Sequence, residues 1–161
     1  MHLLDNAILF MFLSFVMGVI ADPILRRMTN YEWWSTRYLF KDSKTYEKIG
    51  ILWFQRFLKV TPLGSFNGNI HFTQKRDLAT LRAIREQMAT AEMSHWVGFI
   101  VMLGLTVLAW FYRGAVVGLV YVAFNVLGNV YPSLLQQYNK RRLNRVISAL
   151  EKRSPQIFGT N

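Results

Sequence analysis

The chain has 161 residues, 52% of them hydrophobic and 15% aromatic, and 19 Lys and Arg against 9 Asp and Glu give a formal net charge of +10. A positive mean hydropathy with long apolar runs argues against a soluble domain, and the length allows one membrane unit rather than two domains. The absence of cysteine excludes disulfides, thiolate chemistry and cysteine-ligated metal, and three histidines without HExxH spacing argue against a metal site.

The first apolar run, AILFMFLSFVMGVIA at 7–21, follows an n-region without lysine or arginine and precedes no A-x-A site. It therefore reads as a spanning helix rather than a cleaved signal, ended by Asp22-Pro23 because proline disfavours helical geometry in the residue before it. Residues 24–92 hold twelve basic side chains and an aromatic group, Tyr31, Trp33, Trp34 and Tyr38, of the kind found at headgroup depth. YEKIGILWFQRFLKV at 46–60 is apolar but interrupted by Lys48, Arg56 and Lys59, which suits an interfacial or re-entrant helix. Pro62, Gly64, Gly68 and Asn69 mark a loop that also holds His71, expected to be a bystander.

From about Lys75 a helical pattern resumes, with Leu78, Leu81, Ile84 and Met88 on one side, and nothing stops it before the second span. That span covers 93–112 and the third covers 114–131, with Arg113 alone between them, so the two form a tight hairpin. After Pro132 a basic segment with Leu135, Leu143, Val146 and Leu150 at helical spacing reads as an amphipathic helix at the membrane surface. The fold class is therefore an all-α integral membrane bundle: three transmembrane helices at about 4–21, 93–112 and 114–131, an interfacial or re-entrant segment, and amphipathic surface helices. It forms one domain over 1–161. Twelve basic residues between spans one and two and six after span three, against Arg113 in the hairpin, put the amino terminus outside and both basic regions in the cytoplasm. No base-reading motif accompanies the charge, so the expected partners are membrane lipids and not nucleic acid.

A hairpin returns to the level where it began, so Glu92 and His95 at the mouth of span two should face Asn129, Gln136, Tyr138, Asn139 and Arg142 at the end of span three. Glu92 and His95 stand three residues apart on one helix face, close enough for the carboxylate to orient the imidazole. Asn129, with Asn125 one turn earlier, is an amide in an apolar run, where an unpaired polar group is costly. An interhelical hydrogen bond would satisfy both asparagines, the ExxH pair would also suit a plain helix entrance, and Lys140-Arg141-Arg142 would suit lipid-facing charge. The residues alone thus leave open an enzyme and a non-catalytic membrane protein that binds lipid or a partner through a basic interfacial surface. Gly98, Gly104, Gly118 and Gly128 are small residues that would also let the bundle pack with copies of itself.

Four stretches, RYLFK (37–41), YEKIGILWF (46–54), AEMSHW (91–96) and NVYPSLLQQYNKRRL (129–143), together resemble the glycosyl-diaponeurosporenoate acyltransferase family. The matching positions are Glu47, Gly50, Trp53, Glu92, His95, Trp96, Asn129, Gln136, Tyr138, Asn139 and Arg142, while Gln137 stands where an arginine is expected. The resemblance implies acyl transfer from a thioester to a hydroxyl of an amphiphilic acceptor, a carotenoid glycoside or another lipid. It implies catalytic roles for His95 as base, Glu92 as its orienter and Asn129 as an oxyanion donor. Glu47, Trp53, Trp96, Gln136, Tyr138, Asn139 and Arg142 would bind substrate. No cofactor or metal is expected; acyl-CoA or another acyl thioester would be a co-substrate, its phosphates held by Lys140, Arg141 and Arg142. With no cysteine and no serine in a nucleophile motif, direct transfer is expected rather than a covalent acyl-enzyme.

Overall fold

The computed structural model describes residues 2–28, 30–61 and 77–158, and every regular element among them is a helix. The elements are α1 (His2–Met28), α2 (Tyr31–Ser35), α3 (Ser43–Lys48), α4 (Ile51–Val60), α5 (Leu78–Arg113), α6 (Ala115–Asn125), a π-helical turn (Val126–Val130) and α7 (Tyr131–Phe158). The loop expected around Pro62–Asn69, with His71 and Lys75, lies outside the described residues. Three helical stretches, Asn6–Met28, Leu78–Arg113 and Ala115–Lys152, are long and apolar enough to cross a membrane.

Helix α5 organises the rest. Asp77 caps it by accepting the Thr80 N–H at 2.9 Å. Its 36 residues would extend about 54 Å, well beyond a hydrocarbon core of about 30 Å. The expectation that the segment beginning near Lys75 runs unbroken into span two therefore holds. The far end turns at Gly114, whose φ of +91° is closed to most side chains, so α6 returns after a single linking residue.

Two small-residue pairs let α1 approach α5. A Cβ on Gly18 would lie 2.2 Å from the Ser94 carbonyl oxygen, and one on Gly98 would lie 3.0 Å from the Ser14 carbonyl. Ser14-xxx-Gly18 and Ser94-xxx-Gly98 thus face each other as matching four-residue steps, the spacing that brings two backbones together in a membrane. Of the glycines expected to serve packing between copies, Gly98, Gly118 and Gly128 are used inside the chain, against Asn129, Trp110 and Met11; only Gly104 has open space in front of it.

Two prolines fail to end helices. Helix α1 continues through Pro23 to Met28, because Asp22 is held in the helix by Arg26 at 2.9 Å and by the Tyr31 hydroxyl at 3.0 Å. Arg26 also reaches Glu86 and Thr90 of α5, which ties the end of α1 to the first half of α5. Pro132 occupies the second position of α7, where the preceding π turn has already altered the hydrogen-bond register. The amphipathic helix expected after Pro132 is therefore a continuation of the third span. Most of its apolar stripe is not left for lipid: Leu135 and Leu143 are buried, Leu143 packing with Ile147 of the same helix and with Leu81 and Met88 of α5, while Val146 stays exposed.

Lipid-facing character lies elsewhere. Phe12, Ile20, Ile100, Phe111, Val116 and Leu119 are exposed along the outside of α1, α5 and α6. Helix α4 turns Ile51 and Phe54 onto Leu134, Leu135 and Tyr138 of α7, while Trp53, stacked on Phe57, and Val60 stay exposed. That second, outward apolar face beside Arg56 and Lys59 suits the interfacial position expected for this segment.

Gly18→Ala should separate α1 from α5 and lower stability by about 1–3 kcal/mol, the usual cost of overpacking. Gly104→Ala, with nothing within 4 Å of its added methyl, should change stability by less than about 0.5 kcal/mol. Thermal unfolding of the two variants in detergent makes the comparison.

Candidate functional site

Glu92 projects from α5 into the contact with α7 and is 1% exposed. One carboxylate oxygen lies 2.5 Å from Lys140 Nζ; the other accepts Gln137 Nε2 at 2.6 Å and Trp96 Nε1 at 3.4 Å. Lys140 is fully buried and also donates to the Trp34 carbonyl at 3.0 Å. A buried ion pair is expensive to desolvate, and the hydrogen bonds from Gln137 and Trp96 to the carboxylate and from Lys140 to the Trp34 carbonyl offset part of that cost.

The pair anchors a strap. Gln137 Oε1 accepts the Leu39 N–H at 2.9 Å and the Tyr46 hydroxyl at 2.7 Å. Burial pushes the Tyr46 phenol above its ordinary range, so it stays protonated and able to donate. Arg141 reaches the Phe40 carbonyl, and Asn144 reaches the Ser35 carbonyl and the Tyr38 hydroxyl. Residues 34–40 therefore lie across α7, held mainly through their backbone groups by four side chains of one helix. Gln137, which leads this network with Lys140, was absent from the expected site, and Lys140 was expected to hold donor phosphate rather than to pair with Glu92. Three consecutive basic residues point in three directions about a helix, and sequence alone does not say which one faces inward.

His95 belongs to a second cluster. Its ring lies beside the Asn129 side chain and the Gly128 carbonyl, tilted against Phe15 with centroids 5.9 Å apart. Nδ1 is buried without a partner among the described residues. Pro132 has no N–H to give the Gly128 carbonyl four residues before it, and the imidazole occupies that vicinity. Asn129 Nδ2 donates to Asn125 Oδ1 at 2.9 Å and Ser14 Oγ at 3.3 Å, and Asn125 donates to the Phe99 carbonyl at 3.1 Å. The cluster thus draws on α1, α5, α6 and the π turn, a local device that recurs at functional sites.

The sequence-derived residues divide accordingly. The hairpin does bring Asn129 to His95, as its geometry required. Glu92, expected to orient the imidazole, is committed instead to Lys140, Gln137 and Trp96, and Asn129 is the side chain beside the ring. Tyr138, Glu47 and Arg142 form a separate group: the Tyr138 hydroxyl donates to Glu47 at 3.2 Å, and the Arg142 guanidinium lies 5.8 Å from the Tyr138 ring centre. Gly50, at φ +86°, makes the left-handed junction between α3 and α4 near this group. Trp53 is 62% exposed and away from both clusters. Gln136 and Asn139 are half-buried on α7, and no hydrogen bond joins either to His95 among the described residues.

Glu92→Gln and Lys140→Met should each cost about 3–5 kcal/mol, because each strands a buried partner. The double variant should recover much of that loss. Urea titration or thermal unfolding in detergent gives the coupling.

A family model described as glycosyl-4,4'-diaponeurosporenoate acyltransferase (CrtO) matches residues 27–149, which include α2 to α6, the π turn and most of α7. No curated protein and no solved structure matched the chain. The matched region covers most of the sequence and contains the Glu92–Lys140 cluster and, apart from Ser14 and Phe15 of α1, the His95–Asn129 cluster. The chain belongs to the glycosyl-4,4'-diaponeurosporenoate acyltransferase family, a family of acyltransferases.

Proposed function

We propose that the chain is a membrane-embedded acyltransferase that moves a fatty acyl group from a thioester donor to a hydroxyl of an amphiphilic acceptor, a carotenoid glycoside or a related glycolipid. The observation that carries this reading is the His95 imidazole: one buried ring nitrogen has no partner among the described residues, the ring stands against Asn129, and both belong to helical stretches otherwise built for lipid. An ionisable side chain inside a membrane is costly and by default marks a substrate or proton site, whereas asparagine and serine there also serve helix packing.

The reaction needs a base, because an alcohol is a poor nucleophile at neutral pH. His95 takes the acceptor hydroxyl proton as the oxygen attacks the thioester carbonyl. The carbonyl electrons move to oxygen, and an amide donor stabilises the charge. Asn129 can supply it: its 3.3 Å bond to Ser14 is the weaker of its two, and an oxyanion is a stronger acceptor than a hydroxyl. Collapse of the intermediate expels the thiolate, which recovers the proton from the imidazolium, leaving an ester and a free thiol. Glu92 acts through others in this scheme, holding Gln137, Lys140 and Trp96 so that α7 keeps its register beside the site. The positive-inside distribution of charge supports a cytoplasmic site, with the amino terminus and Arg113 outside.

His95→Ala should lower acyl transfer from radiolabelled acyl-CoA to lipid acceptors by about 10²–10⁴-fold, with the folded yield retained. Transfer by His95→Ala at the wild-type rate would remove His95 from the mechanism, and no transfer by folded wild-type protein would remove the reading itself.

A further inference from the structure

Between Tyr38 of the strap and the later turns of α7 lies an open groove of about 510 Å³. We infer that this groove seats the nucleotide handle of the acyl donor, a phosphorylated adenosine diphosphate of the kind coenzyme A carries; the inference rests on the acyl-transfer reading above. Arg141, Arg145 and Lys152 line it at i, i+4 and i+11, which places them along one side of the helix. No carboxylate is among the lining residues, and nearby Glu151 is engaged by Arg82 at 2.7 Å.

The two arginines have neutral partners. Arg141 donates to the Phe40 carbonyl at 3.4 Å while its Nε is buried without a partner among the described residues, and Arg145 donates to Ser43 Oγ at 2.8 Å. Their charge is therefore available to phosphate oxygens, for which the guanidinium fork is well shaped. Tyr38 adds an aromatic wall, fixed by Asn144 at its hydroxyl and by the Arg141 guanidinium 5.4 Å from its ring centre. Cations together with an aromatic face suit a phosphorylated nucleotide, since a flat base stacks on a ring as well as it tolerates any neighbour. A lipid phosphate would use the cations alone.

Size and reach agree with this occupant. The volume falls within the range of about 300–1,000 Å³ typical of small-molecule sites. Arg141 stands twelve residues beyond Asn129, so the groove begins about 18 Å along the helix from the His95 cluster. A donor held there by its phosphates reaches His95 only through a long arm between phosphate and sulfur, as coenzyme A has. The basic residues first assigned to phosphate thus separate: Lys140 is occupied by Glu92, Arg142 lies over Tyr138, and Arg141 alone belongs to the groove, joined by Arg145 and Lys152.

The test titrates the full chain in detergent with coenzyme A, with inorganic phosphate, and with vesicles containing phosphatidylglycerol. It compares wild type with Arg145→Gln/Lys152→Gln, whose side chains are exposed, and with Tyr38→Leu. Coenzyme A should bind in competition with adenosine 3′,5′-bisphosphate, and the double variant should weaken it about tenfold or more. Tyr38→Leu should weaken coenzyme A but not inorganic phosphate, and vesicle binding should stay unchanged in all three proteins. Unchanged coenzyme A affinity in the double variant overturns the assignment, and so does an equal loss of coenzyme A and vesicle binding. In the transfer assay the double variant should raise the donor KM and leave kcat in place. Transfer with an unchanged donor KM sinks the groove and leaves the acyltransferase reading standing; groove-dependent coenzyme A binding without transfer does the reverse.

Discussion

The contact between Glu92 and Lys140 is the constraint on which the arrangement of this chain depends. Both groups are buried, on helices that run in opposite directions, and their ion pair of 2.5 Å sets the register of α7 against α5. Once that register is set, Gln137 meets the free side of the carboxylate and Lys140 meets the Trp34 carbonyl. The segment before α3 then has little freedom, because its backbone groups are held by the same side of α7. A hydrophobic replacement of the pair could be as stable. What the charges add is specificity: a shift of α7 by one residue would leave two buried charges apart.

The same register places Asn129 opposite His95. Pro132 and the π turn make that junction unusual, since they disturb the helical hydrogen bonds where the two polar clusters approach each other. A regular helix would carry its carbonyls fully paired and offer nothing to an imidazole. The close approach of α1, made possible by Gly18 and Gly98, closes the other side and supplies Ser14. Polar groups from four elements thus meet within apolar helices, the setting that the proposed reaction requires.

Much of this was legible in the residues. Long apolar runs defined the spans, Arg113-Gly114 defined the hairpin, and the hairpin in turn required Asn129 to return to the level of His95. The errors have local causes. Pro23 reads as a stop because proline disfavours helical geometry in the residue before it, and the third span reads as ending before Pro132; the Arg26–Asp22–Tyr31 network compensates in one case and the π turn in the other. Lys140, Arg141 and Arg142 read alike, as lipid-facing charge or a phosphate clamp, because three consecutive basic residues look the same in sequence; only the packed register of α7 buries Lys140 and leaves Arg142 exposed. Glu92 was paired with His95 by spacing, which counts neighbours on one helix and cannot see a stronger partner on another. Gln137 stands out only as a departure from the family pattern and gives no sign of its role, since a glutamine in a polar stretch carries no periodicity of its own.

The separation of Glu92 from His95 is most directly tested by the imidazole ¹⁵N resonances of His95 in detergent-solubilised protein, assigned by comparison with His95→Ala. Asn129→Ala should shift these resonances strongly, and Glu92→Asp should leave them near their wild-type positions. Resonances that move with the Glu92 substitution and ignore Asn129 would contradict the account, returning Glu92 to the role of the imidazole's partner.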